Sequence, residues 1–272
     1  MRMPKIHSLF YHNPKPKCVE RMVRYHLRCG YRFISIKELL EILKRGQPIK
    51  EKLAFLSFDD GWQGNLHLLP IIEKYHLPVC IFVVTEPLVS GNFWWEYVLQ
   101  ELGYDKLELY KKLPYEEFIC RLGGYKKRYK LSRSAMTVEE LTNISHHPLV
   151  SIQSHTVTHP ILTSCPDDVL EKELSDSKSE LEKFIGQPVF AFSYPDGAHT
   201  EREIQAVKRH YSIAFTTEQK NISLSDDICT LPRCALTGQY YRDLLKVWGV
   251  WKYLKAIMRG LNLSNYNSSL IL

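Results

Sequence analysis

KLAFLSFDDGW, residues 52–62, decides how this chain folds. From Leu53 to Phe58 the run is almost entirely apolar, which suits a strand covered on both faces and therefore a parallel sheet. It ends in two adjacent carboxylates, Asp59 and Asp60, followed by Gly61. A DDG turn that merely closes a strand has this form. So has a pair of acids at the C-terminal end of a barrel strand, where the active sites of α/β barrels are built. Neighbouring side chains on a regular strand point to opposite faces, so both acids reach one pocket only if a glycine-assisted turn relaxes the alternation.

Similar apolar runs recur along the chain. They predict strands near 5–12, 52–59, 79–85, 149–154, 189–194, 213–217 and 229–236. Helical patterns fill the intervals at 18–29, 36–45, 65–76, 167–186, 200–210 and 240–260. In 167–186, for example, Val169, Leu170, Leu174, Leu181 and Ile185 form one apolar stripe and Gly186 ends it. Alternating strands and helices are the mark of βαβ units, and seven or so repeats point to an α/β fold closed or nearly closed into a barrel. The rhythm breaks once, so residues 86–148 are expected to form a helical insertion on the loop face, carrying the basic, aromatic stretch GGYKKRYK.

The 272 residues, 44% hydrophobic and 24% charged, exclude collagen-like, disordered and coiled-coil classes and are compatible with one barrel. Thirty-six Lys and Arg against 30 Asp and Glu give +6, a mild surplus that favours phosphates or acidic membranes without implying nucleic acid. Seven cysteines form no CxxC pair and leave one over in any disulfide scheme, which fits a reducing compartment. The N-terminal MRMPKIHSLFYHNP has too short an apolar run for a signal peptide. No stretch reaches the roughly 18 to 20 apolar residues of a membrane-spanning helix. A cytoplasmic location is expected, with any membrane contact made from the side.

Two further strand ends carry chemistry. SHTVTHP, residues 154–160, places His155 and His159 four apart, so a helical turn or a curled loop aims both imidazoles at one point. Two solvated histidines have the same spacing, and the pair gains meaning only beside the Asp–Asp pair at another strand end. AFSYPDGAHT, residues 191–200, reads as a strand-to-helix turn that could wall the same pocket with free backbone N–H groups.

FDDG, then SHTVTH, then FSYPDG resembles in order and context the polysaccharide deacetylases of the NodB-homology group, carbohydrate esterase family 4. The likeness runs from YHN at 11–13 to LPR at 231–233. It implies a distorted (β/α) barrel of about seven parallel strands, with the whole chain, 1–272, as one catalytic domain. It also implies a divalent metal, most often zinc, and removal of acetyl groups from an N-acetylated glycan. By motif, Asp59 is the expected general base, and Asp60, His155 and His159 the expected metal ligands. Asp196 would offer its backbone N–H to the oxyanion. The chain departs from the family where a leaving amine must be protonated. Ser193 stands where an arginine is usual, Asp196 where an aromatic residue is usual, and TLPRCAL where the acid histidine is expected. Arg233 cannot donate a proton near neutral pH. It is expected to orient Asp59 or hold a substrate anion, unless it is simply an ion-paired arginine at a strand end. His199 is the nearest alternative acid, though a histidine capping the next helix looks the same.

His12, at the end of the first strand, is read as a rim histidine that could also line the pocket. Trp62, Trp94 and Trp95 suit either sugar stacking or helix packing. The C-terminal helix, expected over 240–262, puts Val247, Val250, Trp251, Leu254, Ile257, Met258 and Leu261 on one side with Lys246, Lys252, Lys255 and Arg259 around the rest. Such a helix either covers the barrel or lies peripherally on the inner face of a membrane. The expected activity is a metal-dependent carbohydrate N-deacetylase. The alternatives are a deformylase or other non-sugar amide hydrolase, and a catalytically impaired sugar-binding protein.

Overall fold

The computed structural model describes residues 6–251, 253, 254 and 257. In chain order its first half runs β1 (His7–Tyr11), α1 (Pro16–Arg28), β2 (Tyr31–Phe33), α2 (Ile36–Arg45), β3 (Lys52–Asp60), α3 (Leu69–Lys74) and β4 (Val79–Val83). Five helices follow: α4 (Glu86–Ser90), α5 (Trp94–Leu102), α6 (Leu107–Tyr110), α7 (Tyr115–Arg128) and α8 (Val138–Ser145). The chain then returns through β5 (Val150–Ser154), α9 (Asp167–Ile185), β6 (Ala191–Ser193), α10 (Glu201–His210), β7 (Ile213–Phe215), β8 (Cys234–Ala235) and α11 (Tyr240–Val247).

The strands lie in the order β7-β6-β5-β4-β3-β1-β8, with β2 beside the start of β3, and every strand pair is parallel. A parallel bridge between Phe215 and Leu231 joins the two ends of this path, so the sheet curls into a distorted (β/α) barrel. All the βα loops therefore emerge on one face.

Three details differ from the sequence reading. Tyr31–Phe33 is a strand that was not expected: only three residues long, it pairs with Lys52–Ala54 alone, too little for a periodic signal. The expected strand over 229–236 contracts to Cys234–Ala235, because Pro232 has no N–H to give a ladder. The C-terminal helix is interrupted after Val247 by a turn at Gly249, and the chain is helical again from Trp251. Lys252, Lys255, Met258, Arg259 and Leu261 of that expectation lie outside the described residues. No helix among the described residues is long and apolar enough to cross a membrane.

Strand alternation divides the core in two. Leu53, Phe55, Cys80, Phe82, Ala191, Ile213 and Phe215 pack together inside the barrel. Ala54, Leu56, Phe58, Val79, Ile81 and Val83 pack outward, toward the helices. Each fully buried Leu, Ile or Phe of these layers contributes about 1.5–3 kcal/mol of transfer free energy. The insertion has its own small core of Trp94, Tyr97, Val98, Tyr110, Phe118 and Leu122. That packing holds α5 to α7 over the loop face.

Candidate active site

Asp59 continues the inward series of Leu53, Phe55 and Ser57, so strand geometry alone sends its carboxylate into the barrel mouth. The same alternation would send Asp60 outward. Asp60 instead adopts φ 78°, in the left-handed region, and Gly61 follows at φ 88°. A Cβ on Gly61 would lie 3.0 Å from Val83 Cγ1, so glycine also permits the close approach of this turn to β4. Both acids thus line one cavity of about 410 Å³, with 2% and 3% of their surfaces exposed.

His155 and His159 reach the same cavity on a curled loop rather than a helical turn. Thr156 at φ 72° and His159 at φ 56° bend it, and the His159 N–H donates to Thr156 Oγ1 at 2.9 Å. Glu173 of α9 clamps the loop from behind, accepting from the N–H groups of Val157 and Thr158 and from Thr158 Oγ1. Backbone bonds from Thr85 and Glu86 to the carbonyls of Thr156 and Val157 tie it to the end of β4. Of the five non-glycine residues with positive φ among the described residues, four (Asp60, Thr156, His159 and Asp196) line or shape this pocket, the clustering of backbone strain that marks a candidate functional site.

One ligand atom from each of Asp60, His155 and His159 lies within 4.8 Å of the others. His155 Nε2 is 3.6 Å and His159 Nε2 3.8 Å from Asp60 Oδ1. His155 Nδ1 is 2.7 Å from the Ser193 carbonyl. A carbonyl only accepts, so Nδ1 carries the proton and Nε2 presents a lone pair to the site. Trp62 Nε1 donates to Asp60 Oδ2 at 2.8 Å, while the buried Oδ1 has no partner. Burial raises the Asp60 carboxyl above its usual range. Burial lowers both imidazoles, and His155 and His12 push His159 further down, to well below its ordinary value. An orphaned carboxylate oxygen facing two neutral imidazoles fits a divalent cation.

Asp59 has the opposite surroundings. Arg233, fully buried, donates from Nη1 to Asp59 Oδ1 at 2.7 Å and from Nη2 to Oδ2 at 2.8 Å. The same guanidinium reaches Ser57 Oγ, Ser193 Oγ and the Thr216 carbonyl, and its carbon sits 4.2 Å from the centre of the Phe10 ring. Burial alone would raise Asp59; Arg233, and after it His155, outweigh that and hold its carboxyl below the usual range. Arg233 therefore orients Asp59, and Ser193, standing where the family has arginine, accepts from it.

His12 lines the cavity and is exposed within it. His199 does not line it: its Nδ1 bonds the Gly197 carbonyl at 2.8 Å and its ring faces a neighbouring cavity, which corrects the expectation of an alternative acid there. Asp196 lies on the cavity wall, its side chain 2.9 Å from Lys111 Nζ of the insertion. Trp94 packs into the insertion core and donates to the His159 carbonyl; Trp95 stacks on Phe93 and meets the His159 ring edge-on at 4.9 Å. Lys111 and Glu173 were missed by the sequence reading. Glu173 had a signal, a carboxylate on the apolar stripe of α9; Lys111 had none.

The polysaccharide deacetylase profile matches residues 46–212. The Bacillus subtilis protein YxkH is 23% identical over 206 residues, 75% of this chain and 58% of its own length. The poly-beta-1,6-N-acetyl-D-glucosamine N-deacetylase of Staphylococcus epidermidis is 23% identical over 219 residues, 80% of this chain and 65% of its own. This chain thus spans less than two thirds of the length of these relatives. Among solved structures, the Streptococcus pyogenes deacetylase PplD in complex with acetate superposes with a TM-score of 0.66 at 23% identity, over 89% of this chain and 97% of that one. On the profile match, with the fold in agreement, the chain belongs to the polysaccharide deacetylase family.

Proposed function

We propose that this chain is a divalent-metal-dependent N-deacetylase acting on N-acetylglucosamine residues of an oligosaccharide, polysaccharide or lipid-linked glycan. The observation that carries the reading is the orphaned Oδ1 of Asp60 set between two neutral imidazoles. Asp60, His155 and His159 would hold the ion, and their mixed carboxylate and imidazole set suits zinc. Once bound, such an ion polarises the amide carbonyl and makes water more acidic.

The remaining chemistry falls to the chain's own groups. Asp59, kept ionised by Arg233, takes a proton from the water that attacks the acetamido carbon. The bidentate pair weakens Asp59 as a base but keeps it in the accepting form at neutral pH and leaves lone pairs on both oxygens. The N–H of Asp196 supports the developing oxyanion, a contribution of about 3 kcal/mol for one well-aimed donor. Collapse expels an amine, which leaves only when protonated. His12 is the exposed imidazole on the cavity wall and carries that proton, a task the guanidinium of Arg233 cannot perform. Trp62 and Trp95 offer aromatic faces to the sugar ring.

The test is acetate release from N-acetylglucosamine oligomers by zinc-loaded protein, with metal content measured in parallel. Activity should vanish with a chelator and return with zinc. Protein that binds no metal, or whose acetate release ignores the chelator, would refute the reading.

A further inference from the structure

His12, the proton donor of the proposed reaction, stands outside the regular sheet. Pairing of β1 with β3 ends at Tyr11, opposite Phe58, so His12 lies beyond the ladder on the link, 12–15, that leads to α1. Its ring is exposed in the cavity and meets Phe10 edge-on at 5.5 Å. A side chain from another strand end fixes the backbone here: Asn65 Nδ2 donates to the His12 carbonyl at 2.8 Å.

Asn65 is 1% exposed and belongs to a 3-10 turn, Gln63–Leu68, that follows β3. A carbonyl only accepts, so the amide turns its NH2 to His12, and its own Oδ1 is left buried with no partner. A buried acceptor without a donor costs stability, and a leucine of similar size would avoid that cost. The side chain is therefore explained by the one bond it makes rather than by packing.

The turn that carries Asn65 is itself held. The Asn65 N–H donates to the Trp62 carbonyl at 3.0 Å, and the Gln63 N–H to the Ser134 carbonyl at 2.9 Å. Gln63 Nε2 donates to Glu140 Oε1 at 2.9 Å, so the insertion grips the turn from outside. Gly64 lets the link lie close, because a Cβ there would collide with Asn13 Oδ1. Trp62 opens the same segment and donates to Asp60 Oδ2. Residues 62–65 thus hold a candidate metal ligand at one end and the backbone of the proton donor at the other.

We propose that Asn65 is a positioning residue that, through the His12 carbonyl, holds the His12 imidazole where the leaving nitrogen departs. The inference rests on the deacetylase reading above. When the tetrahedral intermediate collapses, the C–N bond breaks, its electron pair stays on nitrogen, and the ring N–H proton of His12 passes to that nitrogen. An aryl ester such as 4-nitrophenyl acetate needs no such proton, because the C–O pair stays on a nitrophenolate that leaves as the anion. Misplacing His12 therefore harms the amide and spares the ester.

The experiment measures kcat for acetate release from N-acetylglucosamine oligomers and for zinc-dependent hydrolysis of 4-nitrophenyl acetate, with metal content determined throughout. It uses the wild type, Asn65→Ala, the near-isosteric Asn65→Leu, His12→Ala and the His12→Ala, Asn65→Ala double variant. Both Asn65 variants should lose about 10- to 100-fold on the oligomers, the effect of a displaced catalytic group. On the ester they should lose less than about threefold. The double variant should fall no lower than His12→Ala alone, since the two residues act as a unit. Equal losses on both substrates, an undiminished oligomer rate in zinc-loaded Asn65→Leu, or a double variant that multiplies the single losses overturns the positioning role while the deacetylase reading stands. Wild-type protein that releases no acetate from the oligomers defeats that reading, and the positioning role falls with it.

Discussion

Two clusters of buried histidine stand at opposite ends of the barrel, and they are built for different ends. At the start of β1, His7 Nδ1 lies 3.2 Å from His26 Nε2, Tyr31 Oη bonds His7 Nε2 at 3.0 Å, and His26 Nδ1 bonds the Met22 carbonyl at 2.9 Å. Every ring nitrogen there has a partner and no carboxylate takes part. At the other end, His155 and His159 face the unpartnered Oδ1 of Asp60. Both clusters depress their imidazoles, and burial is the chief cause in each. Burial and lowered basicity are thus common to both. The orphaned acceptor, and the acid that supplies it, separate a site from a packed interior.

The largest contrast should appear in activity. Asp59→Asn should lower kcat by about 10²- to 10⁴-fold with zinc stoichiometry intact, whereas His7→Ala should leave kcat within about threefold, the range of effects under about 0.7 kcal/mol. Acetate-release kinetics with metal analysis decide it, and equal losses in both variants would erase the distinction. Removing Arg233 strands a buried carboxylate, so Arg233→Met should cost about 3–5 kcal/mol in urea unfolding, and Asp59→Asn in the same chain should recover much of it. His7→Ala, by contrast, should cost about 2–4 kcal/mol through a cavity and a bereft Tyr31 hydroxyl.

pH sharpens the contrast. Burial first, then His26 and Lys52, hold His7 down to about 3. The unfolded chain therefore takes up a proton near pH 6.5 that the folded chain refuses until about pH 3. Stability is full above pH 6.5 and falls as pH drops through that window, by up to about 1.4 kcal/mol per pH unit for one histidine. His7→Phe should flatten the slope in acid-titrated unfolding; an unaltered slope would assign it elsewhere. A smaller effect of opposite sign is expected at the other end. Because Asp60 is buried and raised, Asp60→Asn should stabilise the metal-free protein by about 1 kcal/mol while abolishing metal binding, a trade of stability for function. Smallest of all, Lys111→Ala should change stability by less than about 1 kcal/mol, because its partner Asp196 is half exposed.

The apolar run into Asp59–Asp60 and the His155–His159 spacing were legible because each needs only local chemistry: strand alternation, a glycine turn and a four-residue step. The fold class was legible for the same reason, since each βα repeat signals itself. Tyr31–Phe33 was not, since three residues carry no period and the strand exists only by leaning on β3. His199 looked like a pocket residue because it follows the third motif closely. The turn at Asp196–Gly197 carries it into a neighbouring cavity.

By itself the sequence determined which residue types end each strand, and hence that acids and imidazoles gather on one face. Only the tertiary structure decided what each of them does. Arg233 stands 174 residues from Asp59, and nothing local couples them. Closure of the barrel brings β8 beside β1 and threads the guanidinium between Ser57 and Ser193, where a buried charge must be paired. That pairing falls to Asp59, which takes both Nη groups of Arg233, the only buried cation among the described residues; Asp60, turned into the same cavity, keeps one oxygen without a hydrogen-bond partner.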